Sequence, residues 1–177
     1  GTPSAPHIPF TRAYLTYLGN SITDAVKKSG MDGFMVDWIW NPGASMEPYP
    51  PLKWLDCEKE MYEELMGEAF PGIEQLDAAH IQTFRRRSVE RCWNTIYTAA
   101  KRGNPKCKIW VTCCQVTSHD LVGSSMFKQA DIFMNEAGSI EDVEKIRPLV
   151  GPSTRLMTCL ALWNNQDPSQ IVPQALE

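Results

Sequence analysis

The sequence lacks several patterns that would assign a function directly. Its six cysteines and three histidines form no CxxC pair and no zinc-ligand spacing, so zinc and thioredoxin-like sites lack support. No glycine-rich phosphate loop joins a strand to a helix, and the Gly-x-Ser-x-Gly nucleophile elbow is absent. We therefore predict no metal and no cofactor.

Long apolar runs and basic clusters are also scarce. No apolar run approaches the roughly 20 residues that cross a bilayer, and the first residues lack the basic and apolar regions of a signal peptide. The net charge is -4, and the only dense basic run, Arg85-Arg86-Arg87, is predicted to form a solvated helix face. We expect neither a membrane nor a nucleic-acid partner. The sequence leaves the compartment open.

The residues that are present indicate a folded α/β protein. The chain has 177 residues, of which 43% are hydrophobic, and this predicts a single α/β domain over residues 1–177 with reduced cysteines in its core. Apolar residues at helical spacing, Tyr14, Leu18, Ile22 and Ala25/Val26, predict the inner face of a first helix. Continuous apolar strands separated by helices indicate a parallel sheet. Helices are predicted over about 11–29, 54–66, 77–102 and 139–150, and strands near 33–37, 108–114, 131–136 and 154–163.

The stretch over residues 30–42, Gly-Met-Asp-Gly-Phe-Met-Val-Asp-Trp-Ile-Trp-Asn-Pro, supplies the leading candidate site residue. It is apolar from Phe34 to Val36 and then places Asp37 just before the Asn-Pro signal that ends a strand. The carboxyl ends of buried parallel strands are where α/β proteins keep their sites. We predict that Asp37 is functional. The alternative is that Asp37 caps the next segment or pairs with Lys53.

Several segments together resemble a barrel glycoside hydrolase. These are Thr11–Leu15 with the helix that follows, and Met31–Asp37, which reads D-G-(aromatic or aliphatic)-x-x-D and in that group supplies an acid at its end. The nearest resemblance is to the α-L-fucosidase family and related bacterial glycosidases. Later elements agree in order, among them the long helix leading to Pro105 and a strand ending at Asn135-Glu136. The likeness covers most of the chain from Phe10 onward.

This resemblance implies a (β/α)8 (TIM) barrel with Asp37 in the nucleophile position at the end of its fourth strand. A complete barrel has eight strands, whereas about four are predicted in this chain. We therefore expect a partial barrel, corresponding to the middle and later part of such a fold. Either the chain is a portion of a longer protein, or it is a half-barrel that completes itself as a homo-oligomer.

Glu136 ends its predicted strand much as Asp37 ends its own, and glycosidic cleavage uses two carboxyl groups. With one strand between them, two steps of about 4.8 Å place their backbones roughly 10 Å apart. Side chains that lean inward could narrow this gap to the roughly 5 to 9 Å of glycoside hydrolases. We predict Asp37 as nucleophile and Glu136 as general acid/base. Glu136 could instead cap the helix that begins near Ser139.

Aromatic and amide side chains near the same strand ends could bind a carbohydrate substrate. An indole face stacks on the C–H face of a sugar, while amides and imidazoles bind its hydroxyl groups. The alternatives are ordinary core or loop packing for each tryptophan and a surface position for the histidine. The predicted substrate-binding residues are Trp38, Trp40, Asn41, Gln115, His119, Asn135, Trp163 and Asn164.

Two functions of different class remain at this point. The first is a glycoside hydrolase domain or fragment that cleaves O-glycosidic bonds with Asp37 and Glu136. The second is a non-catalytic α/β module that binds carbohydrate or a protein partner through the aromatic loop from Trp38 to Tyr49. Catalysis requires both carboxylates in one cleft, whereas binding requires only the aromatic surface.

Overall fold

The structure is a computed structural model, and it describes residues 10–37, 53–113, 123–135 and 144–158 together with Ser169. Two compact units make up the chain. The helical unit comprises Gly1–Gly30 and Ile39–Pro105, and the sheet unit comprises Met31–Trp38 and Lys106–Glu177. The assignment of residues 1–177 to a single domain stays a prediction.

Three helices dominate the helical unit, and the sequence predicts their ends closely. Helix α1 begins where the Thr11 hydroxyl accepts a hydrogen bond from the Tyr14 backbone N–H at 3.3 Å, and it ends at Gly30, which is left-handed with φ 66°. The carboxylate of Asp77 caps the longest helix by accepting from the His80 N–H at 2.8 Å. The helices are α1 (Arg12–Ser29), α2 (Asp56–Met66) and α3 (Ala78–Gly103), with a 3-10 turn at Ile73–Gln75.

Helix α1 packs on α3 through small and polar residues. A Cβ atom on Gly19 would lie 3.2 Å from Thr95 Cγ2, so glycine permits the close approach of the two helices. The buried hydroxyl of Thr23 lies 2.9 Å from the Gly19 carbonyl oxygen and 3.1 Å from that of Ala99. The inner face predicted for α1 is only partly right, because Ala25 is exposed. Leu15, Gly19, Thr23 and Val26 are the buried positions, and Tyr14, Leu18 and Ile22 are half-buried.

A cluster of aromatic rings joins α2 to α3. Phe84 is fully buried, and its ring centroid lies 5.6 Å from those of both Trp54 and Tyr62. Phe70 completes the cluster, with its ring centroid 4.8 Å from that of Trp54. The Tyr62 hydroxyl donates to Glu68 at 2.9 Å, and burial together with this bond raises the pKa of Tyr62 to about 12. We call these four rings the aromatic cluster.

Charged side chains connect α1, α2 and α3 to each other. Glu64 of α2 accepts from Arg12 of α1 at 2.7 Å and from Arg91 of α3 at 2.6 Å. Burial acts to raise the pKa of Glu64, but the hydrogen bonds and positive charges of the two arginines outweigh it and lower that pKa. Arg87 donates to the Leu65 carbonyl oxygen at 2.7 Å. The predicted solvated basic face is confirmed for Arg87, which is exposed on α3, whereas Arg85 and Arg86 are half-buried.

We expect Glu64→Gln to lower the free energy of unfolding by about 1 to 2 kcal/mol at neutral pH, because Arg12 and Arg91 lose their charged acceptor. The native pKa of Glu64 is lowered, so its contribution is fully present above the ordinary carboxyl pKa of about 4.3 and is lost as the pH falls through the lowered value. Denaturant titrations between neutral and acid pH would measure this, with the exposed Glu60→Gln on the same helix as control. Equal acid dependence in wild type and Glu64→Gln would contradict the prediction.

The described part of the sheet unit contains four parallel strands in the order β1-β2-β3-β4, which confirms the predicted α/β class with a parallel sheet. Each described strand is short and apolar in its centre, and all four run in the same direction. A short helix α4 precedes β3, and a helical turn at 144–146 leads into a 3-10 turn before β4. The elements are β1 (Gly33–Asp37), β2 (Lys108–Cys113), α4 (Ser125–Gln129), β3 (Ile132–Asn135), the 3-10 turn Arg147–Leu149 and β4 (Arg155–Thr158).

The two faces of the sheet differ in burial. Val36, Val111 and Phe133 are in register and buried, and Phe127 of α4 packs on this face with its ring centroid 5.6 Å from that of Phe133. Alternate residues point to the opposite face. We call that side the Asp37 face; it carries Met35, Asp37, Trp110, Thr112, Ile132, Met134, Arg155 and Met157.

Two further sequence predictions concern thiols and membranes. Cys92 and Cys107 are buried as reduced thiols, as predicted for core cysteines, and burial raises the pKa of Cys92 to about 12. Such a thiol is protonated and unreactive near neutral pH. Across the described ranges, the structure contains no helix with the length and apolar character to span a membrane.

Candidate functional site

Asp37 is the last residue of β1, at the carboxyl edge of the sheet, and its side chain is exposed. It pairs in register with Thr112 of β2, so the two side chains are neighbours on the Asp37 face, with strands about 4.8 Å apart. Two methionines on this face are also exposed: Met35 by 47% and Met157 by 42%. An accessible carboxylate therefore stands beside a partly exposed apolar surface.

The predicted partner acid, Glu136, lies outside the described residues. The predicted strand order is confirmed, since β2 lies between β1 and β3. Asp37 is in register with Thr112 of β2, and Thr112 with Met134 of β3. Asn135, the next residue, is the last described residue of β3. The pairing of Asp37 with Glu136 stays a prediction.

The other predicted site residues are described in part or not at all. The backbone of Asn135 belongs to β3, but its side chain lies outside the described part of the structure, so its predicted role stays a prediction. The remaining predicted substrate-binding residues also lie outside it. They are Trp38, Trp40, Asn41, Gln115, His119, Trp163 and Asn164.

Two side chains of β2 that were not predicted as site residues lie on the Asp37 face, and one of them, Thr112, is the register partner of Asp37. Trp110 and Thr112 occupy successive positions on the Asp37 face. The Trp110 Nε1 and Thr112 Oγ1 atoms are buried, and neither has a hydrogen-bond partner within the described part of the chain. The alternation along β2 could have identified them. Ile109 and Val111 are apolar, whereas Trp110 and Thr112 carry hydrogen-bonding groups, and alternate residues of a strand face the same side.

A concave feature of the helical unit, which we call the helix groove, is lined by described residues other than those predicted for the site. It has a volume of about 880 Å³ and lies between α1, the end of α2 and α3. Its arginines bind acceptors of the chain itself: Arg12 and Arg91 bind Glu64, and Arg102 lies 2.9 Å from the Thr23 hydroxyl. These contacts connect the helices to each other, so the groove is a product of helix packing.

Among the described residues, no group of three His, Cys, Asp or Glu side chains is arranged to hold a metal ion. Comparison of the chain with protein-family models, curated proteins and solved structures finds no match. The site must therefore be interpreted from its own chemistry, which centres on Asp37 and its neighbours on the sheet.

Proposed function

We propose that the protein is a glycoside hydrolase, or the part of one that carries the nucleophile, and that its sheet is part of a (β/α)8 barrel. One observation carries the proposal: Asp37 is an exposed carboxylate at the carboxyl end of a strand in an all-parallel sheet. Parallel α/β enzymes keep their reactive groups at that edge. The sequence resemblance of Met31–Asp37 to barrel glycosidases supports the same position.

In the proposed reaction, an Asp37 carboxylate oxygen attacks the anomeric carbon while Glu136 protonates the leaving glycosidic oxygen. The bond from that carbon to the leaving oxygen breaks, and a glycosyl ester of Asp37 forms. Glu136 then takes a proton from water, whose oxygen attacks the anomeric carbon and frees Asp37. Apolar side chains beside the acid, such as Met35, favour C–H surfaces of the sugar.

The proposed barrel needs eight strands, and four parallel strands are described here. Among the described strands, β1 and β4 are the outermost ones of the sheet. A two-fold axis along the barrel would pair β4 of each chain in parallel with β1 of its partner and give eight strands. We therefore propose that the chain forms a homodimer when no further strands are supplied by a longer protein.

The first experiment combines hydrolysis with covalent labelling. The protein is incubated with 4-nitrophenyl glycosides of L-fucose, D-galactose, D-glucose and D-xylose, and 4-nitrophenol release is measured. The best sugar is then offered as its 2-deoxy-2-fluoro glycosyl fluoride, which slows hydrolysis of the ester. We expect mass spectrometry to find the fluorosugar on the peptide that contains Asp37. Labelling of a different carboxylate would overturn the role of Asp37, and absence of both hydrolysis and label would overturn glycosidase function.

The second experiment measures association by sedimentation velocity over a range of protein concentrations. A two-chain species is expected, because β1 and β4 are the outermost described strands, and strand edges and apolar sheet surface favour pairing. A compact monomer at every concentration would contradict the two-chain barrel but would leave the role of Asp37 to the labelling experiment.

A further inference from the structure

Trp110 Nε1 and Thr112 Oγ1 are two buried polar atoms whose side chains belong to the same face of the sheet. Both side chains point to the Asp37 face, two residues apart on β2, and Thr112 is the register partner of Asp37. Thr112 is only 2% exposed. Within the described residues, neither atom has a hydrogen-bond partner. The two side chains are therefore successive on the sheet face that carries the candidate nucleophile.

Buried polar atoms without partners are uncommon, because about nine in ten or more of them are bonded in folded proteins. Leaving one unbonded costs the desolvation of that group with nothing in return. Two of them on one strand face, beside an exposed carboxylate, indicate that a ligand completes the hydrogen bonding. We propose that the Trp110 N–H and the Thr112 hydroxyl bind hydroxyl groups of the carbohydrate. This inference rests on the proposed function and adds substrate-orienting residues to it.

The chemistry of the pair and of its neighbours fits a neutral polyol. The indole N–H only donates, whereas the threonine hydroxyl both donates and accepts, so together they match hydroxyl groups, which can do either. Neither side chain is charged. Ile132 and Met134 adjoin them on β3 and offer apolar contact to the C–H faces of a sugar ring. A ligand with both hydroxyl groups and C–H surface satisfies the polar atoms and the apolar surround at the same time.

Thr112→Val provides a test with two opposite effects. Valine keeps the β-branched shape of threonine and removes the unbonded hydroxyl, so the free protein should unfold at a higher denaturant concentration. Sugar binding should weaken by roughly two- to tenfold, because the hydroxyl contact is lost. The matched control is Thr112→Ser, which keeps the hydroxyl and should retain most of the affinity. A residue with a purely structural role would not show greater stability together with weaker binding.

The binding measurement uses the Asp37→Asn protein, so that the probe is not hydrolysed. The probe is the 4-nitrophenyl glycoside that the wild type hydrolyses fastest or, if none is hydrolysed, free L-fucose, D-galactose and D-glucose in turn. Proton–nitrogen correlation spectra follow the indole N–H signals, and Trp110→Phe identifies the signal of Trp110. We expect that signal to shift on titration in a saturable manner, and Thr112→Val to require more probe for the same shift.

The outcomes separate this inference from the proposed function. Hydrolysis and labelling at Asp37 with an unmoved Trp110 signal would overturn the inference and leave the function standing. A saturable shift without any hydrolysis would support the binding role and reject the enzyme. A Trp110 signal that depends on protein concentration and ignores the sugar would assign the two atoms to the interface between two copies of the chain, and would overturn the inference.

Discussion

Asp37→Asn is expected to lower kcat/KM for aryl glycosides by roughly 10³-fold or more, because an amide is a poor nucleophile and cannot form the glycosyl ester. Asparagine has nearly the same shape, and the carboxylate is exposed at the end of β1, so the fold should be retained. Steady-state rates at substrate concentrations well below KM give the ratio directly. Unchanged far-ultraviolet circular dichroism would confirm that the loss is chemical.

Asp32→Asn is the matched control for this measurement. Asp32 is an exposed aspartate just before the other end of β1, and its described contact is through the backbone: its carbonyl oxygen accepts from the Lys108 N–H at 2.7 Å. The side-chain substitution leaves that bond intact, so the rate should stay within about twofold of wild type. Equal losses in Asp32→Asn and Asp37→Asn would attribute the effect to general destabilisation, and full activity of Asp37→Asn would reject Asp37 as nucleophile.

Phe84→Ala should lower the free energy of unfolding of the helical unit by about 3 to 5 kcal/mol. The ring is fully buried and lies in contact distance of two others in the aromatic cluster, Trp54 and Tyr62. Its removal leaves a cavity that rigid rings fill poorly, and it also removes the favourable geometry between the rings. Urea titration followed by tryptophan fluorescence and by circular dichroism measures the change.

Two further variants serve as controls for the effect of Phe84→Ala on the free energy of unfolding. Phe84→Leu keeps much of the volume and should cost clearly less than Phe84→Ala. Asn94→Ala, on the exposed side of α3, should change the unfolding free energy by less than about 0.5 kcal/mol. A cost below about 1 kcal/mol for Phe84→Ala would mean that the aromatic cluster does not stabilise the helical unit.

The boundaries of the fold were largely readable from sequence, because local chemistry specifies them. Thr11 and Gly30 are strong start and stop residues for α1, and apolar runs identify the strands. The inner face of α1 was predicted less well, because an apolar scale gives no reason to bury Gly19 or Thr23. Their burial depends on the close approach of α3, which is distant in the sequence.

The sequence was sufficient to place one residue of the candidate site, Asp37, but not to identify the residues beside it on the sheet. Asp37 could be placed at a strand end from turn signals alone. Thr112 could not be assigned as its neighbour, since β2 reads as a continuous apolar run and the facing of its residues follows only from the register with β1. The aromatic and amide residues predicted to bind substrate lie outside the described ranges and stay predictions.

The division of the chain into two units has a consequence for the order of events on the ribosome. Helix α1 packs on α3, and β1 pairs with β2, yet α2 and the whole of α3 are synthesised between β1 and β2. Helix α1 can therefore pack only after α3 has been synthesised, and β1 can pair only after β2 has been synthesised. Contacts that close such long loops form slowly. A nascent chain that stalls before α3 would display an amphipathic helix and an unpaired strand together, which is the kind of aggregation-prone intermediate that chaperones shield.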